Sequence, residues 1–243
     1  MKCHRMTKVE FNQIEKLYHF TSFESAIKII ASHKLRYSPI QGLNDINESY
    51  RSIFAGKFQD IAKVQREIQK YRQISLTRDI PQLGFLISAM WGHYAQKGLG
   101  ACLIFNQQIL QSQLDSGTYS KAINYQKYDN TIVVPNITDI AQYIEEHRIH
   151  LFFRKTDDWS YEQEFRIIKK SETDEYLDYG DALVGIILCY ASDIKSKNSV
   201  FESVQYTIIR QMNIAIPIFE YGTLFGSRNL RDANGNEIYS DNN

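Results

Sequence analysis

The stretch Asp157-Asp158-Trp159-Ser160-Tyr161-Glu162-Gln163-Glu164-Phe165-Arg166-Ile167-Ile168 constrains the chain more than any other. Aromatic and branched apolar residues alternate there with charged ones, which predicts a β-strand entered through a polar loop. At period two, Tyr161, Gln163, Phe165 and Ile167 share one face, and Glu162, Glu164, Arg166 and Ile168 the other. Same-face neighbours on a strand lie roughly 6–7 Å apart. Glu162 and Glu164 would therefore repel and raise one carboxyl pKa, with Arg166 offsetting the effect. Such a trio suits chemistry that stabilises a developing cation. It equally suits a solvated strand face carrying a Glu–Arg pair.

The chain ahead of this stretch alternates strand and helix signals. Lys16-Leu17-Tyr18-His19-Phe20 reads as a strand leading into Thr21-Ser22-Phe23-Glu24, where Thr21 and Glu24 have capping-box spacing. Ala26, Ile27, Ile30 and Ala31 make the apolar stripe of the following helix. His19 would then stand at a strand end just before a helix N-terminus, where free backbone N–H groups are open to a ligand. A short strand at 34–37 leads to a turn at Gly42-Leu43-Asn44-Asp45, and helical spacing over 48–71 predicts two helices broken near Gly56. Ile74-Ser75-Leu76-Thr77 reads as a strand. Residues 83–96 read as a helix with Met90 and Tyr94 on its core stripe and His93 at the edge. Gly98 and Gly100 stop it, and Ala101-Cys102-Leu103-Ile104-Phe105 reads as a central buried strand. Further strands are expected at 122–125, 184–188 and 216–221, with helices at 137–153, in two halves, and at 199–212. The pattern predicts an N-terminal extension over 1–14, one α+β domain over 15–225 and a flexible tail over 226–243.

Composition narrows the function classes. Lys plus Arg equals Asp plus Glu, 28 against 28, so no net field draws the chain to nucleic acid or anionic lipid. Cys3, Cys102 and Cys189 are odd in number and in no metal-ligand spacing, which suits a reducing cytoplasm. No apolar run is long enough to span a membrane. The phosphate-binding glycine loop, the dinucleotide fingerprint and the nucleophile elbow are all missing. His147 and His150 beside Glu145 and Glu146 could chelate a metal, but no third ligand is evident, and a surface helix face is the better reading. No metal is expected.

Six motifs occur in a telling order: Leu17-Tyr18-His19-Phe20-Thr21-Ser22, Leu43-Asn44-Asp45, Ile74-Ser75-Leu76-Thr77, Met90-Trp91-Gly92-His93-Tyr94-Ala95, Gly100-Ala101-Cys102-Leu103-Ile104-Phe105 and Trp159-Ser160-Tyr161-Glu162-Gln163-Glu164-Phe165-Arg166-Ile167. Together, over roughly residues 15–190, they resemble the bacterial family named domain of unknown function 2971. The chain departs from that family's pattern at Ile46-Asn47, where Pro and an aromatic are usual, and at Lys97-Gly98-Leu99-Gly100 before the central strand. The family name carries no activity.

At fold level, a strand ending in Tyr-His-x-Thr, a later Ser/Thr strand and a late Glu-x-Glu strand resemble the NAD-dependent ADP-ribosyltransferase plan. That resemblance implies a mostly antiparallel, possibly split sheet flanked by helices, with NAD as the substrate. His19 would bond a ribose hydroxyl, Ser75 or Thr77 would support the pocket floor, and Tyr94 or Tyr161 would stack on the nicotinamide. Thr21, His93 and Arg166 would complete the cofactor-contacting set. Glu164 would stabilise the oxocarbenium-like centre as nicotinamide leaves, and Glu162 would orient an acceptor that the sequence does not specify, whether protein, nucleic acid or small molecule. The alternatives are N-glycosidic hydrolysis without transfer and a non-catalytic sensor of a nucleotide-like molecule, with Tyr18, His19, Trp91, His93 and Trp159 lining a groove. A purely structural reading makes Trp91 and Trp159 core anchors.

Overall fold

A computed structural model of the chain describes residues 8–40, 54–127, 132–134, 139–189, 203–212, 214–224 and 227–241. The fold is α+β, with predominantly antiparallel sheet and helices between the strands. Its contacts gather into two compact units, each assembled from separate stretches of chain: residues 1–34, 76–113 and 178–243 form the first, and 35–75 with 114–177 the second. The expected turn at Gly42–Asp45, with Ile46-Asn47 after it, lies outside the described residues.

In the first unit the central strand is Ala101–Asn106, buried from Ala101 through Phe105 as a strand covered on both faces should be. It pairs antiparallel with Lys16–Thr21 on one side, His19 opposite Leu103, and with Leu183–Cys189 on the other. Leu183–Cys189 pairs parallel with Ile218–Leu224, and helix Val204–Gln211 lies in the chain between them. A parallel pair needs such a crossover. The expectation of a flexible 226–243 tail is corrected: Ser227–Arg231 pairs with Ile218–Leu224, and Glu237–Ser240 returns on it. The turn is Asp232-Ala233-Asn234-Gly235, where Asp232 accepts N–H bonds from Asn234 and Asn236 and Gly235 takes φ +79°. The polar composition that suggested disorder is hairpin-turn chemistry, and Leu230 and Ile238 are buried beside it.

Residues expected to form one helix over 83–96 instead form the helix Ser88–His93 between short 3₁₀ turns at Gly84–Leu86 and Gln96–Gly98. Trp91 is buried, stacked on Tyr221 at 5.4 Å between ring centroids with Phe20 edge-on at 5.2 Å. Its indole N–H donates to the Phe85 carbonyl at 2.7 Å. That geometry supports the core-anchor reading of Trp91. Gly100 has a separate necessity: a β-carbon there would come within 2.2 Å of the Thr21 carbonyl oxygen.

The second unit has its own core. Helices Phe58–Ile68 and Ile140–Phe152 contribute Val64, Ile68, Ile144, Leu151 and Phe152, which cluster with Tyr71 and Ile168 from the strands. Strand Glu164–Lys170 pairs antiparallel with Thr118–Ala122, Phe165 opposite Ala122. Arg154–Thr156 pairs parallel with Asn124–Gln126. Among the described residues the helical reading of 48–71 holds over Phe58–Ile68, while 48–53 lie outside them; Phe54–Gly56 is a strand paired parallel with Ile132–Val134, and Tyr71 opens the strand Tyr71–Arg78. Ile140–Phe152 is one unbroken helix rather than two halves.

Candidate functional site

The acidic motif does not run as one strand. Asp157–Glu162 is a 3₁₀ turn, Gln163 stands in the left-handed region at φ 49°, and the strand begins only at Glu164. The two aspartates in the first turn sit where the helix dipole favours negative charge, and the Gln163 N–H donates to the Ser160 carbonyl at 3.2 Å. Glu162 therefore reaches its place from a turn, not by sharing a strand face with Glu164. Period-two reasoning failed because nothing in the alternation marks a left-handed residue at Gln163.

Both carboxylates converge on a cation that sequence reasoning missed. Lys155 Nζ lies 2.6 Å from Glu162 Oε2 and 2.9 Å from Glu164 Oε2. Arg166 closes the other side: its Nε and Nη2 donate to the two oxygens of Glu164, each at 2.8 Å, and its Nη1 donates to the Phe152 carbonyl. This planar two-point grip is what guanidinium geometry allows and an ammonium cannot make. Tyr125 Oη accepts the backbone N–H of Glu164 at 2.8 Å. Strand Arg154–Thr156, following helix Ile140–Phe152, brings Lys155 to the acids.

Electrostatics here run opposite to the expected repulsion. Glu162, Glu164, Lys155 and Arg166 are all buried, and the formal charges of the four cancel. Burial alone would push the Glu164 carboxyl up, but the Arg166 guanidinium and the Lys155 ammonium overcome it and hold the group well below the usual carboxylate range. Burial pushes the neighbouring Tyr125 phenol well up, so it stays protonated. Trp159 and Tyr161 rim the cluster, both half-buried, with centroids 6.1 Å apart and ring planes inclined by 33°. Lys155 Nζ lies over the Trp159 ring, 5.4 Å from its centroid. Burial raises the Tyr161 phenol, with Glu162 adding to it.

Of the expected site residues, Glu162, Glu164 and Arg166 come together with Tyr161 beside them in the second unit. Ser75 belongs to that unit too, exposed, with its hydroxyl accepting from Gln73 Nε2 at 3.0 Å. His19, Thr21, Thr77, His93 and Tyr94 belong to the first unit. His19 is half-buried on its strand, and Thr77 is buried opposite Tyr18. His93 ends its helix exposed to solvent, its ring 6.3 Å from that of the half-buried Tyr94.

The anion-ready helix end expected beyond His19 is already engaged. Ser22, not Thr21, caps helix Phe23–Ser32, accepting the Ser25 N–H at 3.1 Å, while Gln96 Oε1 accepts the Phe23 N–H at 3.0 Å. Glu24, expected to complete a capping box, pairs instead with Lys28 at 2.6 Å. His147 stacks on Tyr143 with its Nδ1 2.8 Å from the Tyr143 carbonyl oxygen.

A family model described as "Protein of unknown function (DUF2971)" matches residues 90–167. The match bears out the resemblance over the segment that holds Trp91, His93 and the whole Lys155–Glu162–Glu164–Arg166 cluster. No curated protein and no solved structure matches the chain. Among the described residues, no helix is long and apolar enough to cross a membrane.

Proposed function

We propose that the protein is a ligand-binding domain that receives the flat ring of a nucleotide-like molecule, with NAD the leading candidate, on the half-buried Trp159–Tyr161 face of its second unit. One observation carries this reading over catalysis: Glu164, the acid that would stabilise an oxocarbenium centre, is sealed from solvent with both oxygens engaged by Arg166 and Lys155. A carboxylate so neutralised has little field left to offer a developing positive charge. A half-buried aromatic pair retains the means to stack on a planar ring.

NAD titration of the wild type followed by calorimetry tests the reading. Trp159→Ala and Tyr161→Ala should each weaken binding about tenfold if stacking is worth roughly 1–3 kcal/mol per ring. Glu164→Gln should leave the affinity of a protein that still folds nearly unchanged. Binding indifferent to both aromatic substitutions would dismiss the stacking face.

Cleavage of NAD at the nicotinamide–ribose bond, with or without transfer of ADP-ribose to an acceptor, is the second reading. The depressed Glu164 pKa favours it, since the acid is held in the charged form that such a mechanism needs. It requires Arg166 as well as Lys155 to release Glu164 when substrate arrives.

A further inference from the structure

The Lys155 ammonium stands between two buried carboxylates and under an aromatic face, which is the environment that proteins build for cationic ligands. The two acids are not held alike. Arg166 bonds both oxygens of Glu164 and also the Phe152 carbonyl, so that pair persists without Lys155. Lys155 reaches Glu162 Oε2 at 2.6 Å, the shorter of its two contacts, from a side chain whose stem ends at the half-buried Trp159. A four-carbon stem can carry its ammonium out to water and back without moving the backbone.

We propose that Lys155 is the resident occupant of a cation cage formed by Glu162 and Trp159, with Glu164 left paired to Arg166, and that the ring accepted on the Trp159–Tyr161 face is itself cationic, of the N-alkylpyridinium class, entering as Lys155 swings out. This rests on the stacking reading above and deepens it. A cationic ring exchanges one positive charge for another, so the buried acids remain compensated throughout. A neutral ring in the same place would force Lys155 to stay, because removing one partner of a buried pair strands the other.

The probes are 1-methylnicotinamide, a cation, and nicotinamide, its neutral counterpart. In Lys155→Met, which clears the cage while preserving volume, the cation should bind roughly tenfold or more tightly than the neutral ring, and Trp159→Ala added to it should abolish the preference. In the wild type, peptide mapping of acetylation by an activated acetate ester should show Lys155 modified several-fold faster with the cation bound and no faster with nicotinamide. That second measurement needs no variant, so a Lys155→Met protein that fails to fold leaves the question decidable. Equal binding of both probes, sensitive to Trp159→Ala but with Lys155 acetylation unchanged, would overturn the cage and leave the stacking reading standing. Binding of neither probe, or binding indifferent to Trp159→Ala, would remove the stacking reading and the cage with it.

Discussion

Lys155 and Glu164 meet at 2.9 Å inside the second unit, although the sequence places them nine positions apart, on opposite sides of a turn. The consequence is a stability that depends on both signs of charge. Lys155→Met should destabilise the protein by about 3–5 kcal/mol, because the carboxylates lose a buried counter-charge. Adding Glu162→Gln restores balance and should recover part of that loss, so the pair will be strongly non-additive in urea unfolding. Additive losses would mean that the contact carries no coupling.

The Glu164 carboxyl has a folded pKa below its unfolded value, which a glutamate in an open chain sets near about 4.3. Its contribution to stability is therefore complete above that unfolded value and is lost as pH falls toward the lower, folded one. Unfolding free energy measured from about pH 6 downward should fall through this acid range. In Glu164→Gln that part of the slope should be missing, over a lower plateau. An unchanged slope would show that Glu164 is not held ionised.

Trp91 anchors the first unit by area and by one hydrogen bond, and substitution can separate them. Trp91→Phe keeps a ring against Tyr221 but orphans the Phe85 carbonyl, which should cost about 1–3 kcal/mol. Trp91→Ala adds a cavity and should cost about 3–5 kcal/mol. Chemical denaturation of the two variants orders them; equal losses would locate the stabilisation elsewhere.

Lys97 is exposed and left-handed, at φ 57°. Lys97→Gly should stabilise by roughly 0.5–1 kcal/mol, since glycine adopts that conformation freely, whereas Lys97→Val should destabilise by more. Thermal melts of both variants suffice to check the signs.

Much of this fold was legible because burial leaves a periodic trace. The fully apolar run Ala101–Phe105 announced a central strand, and the stripe of Ala26 and Ile30 announced helix Phe23–Ser32. The signals failed where a single backbone dihedral decides the outcome. Gln163 turns left-handed with no glycine or asparagine to advertise it, which moved Glu162 off the strand. The Asp232–Gly235 turn looked like a disordered tail because turns and disorder share a polar composition. Spacing put Glu164 and Arg166 together correctly on one strand but placed Glu162 on the wrong element; Lys155 was missed because nothing local ties Arg154-Lys155-Thr156 to acids that approach it only through the fold.

The most direct test of the central claim is nicotinamide release from NAD by the purified protein, wild type against Glu164→Gln, with NAD binding measured on the same samples. The sealed carboxylate predicts binding that depends on Trp159 and Tyr161, with no turnover in either protein. Turnover in the wild type that falls by at least roughly a hundredfold in Glu164→Gln would contradict it, because a loss of that size marks an interaction made in the transition state.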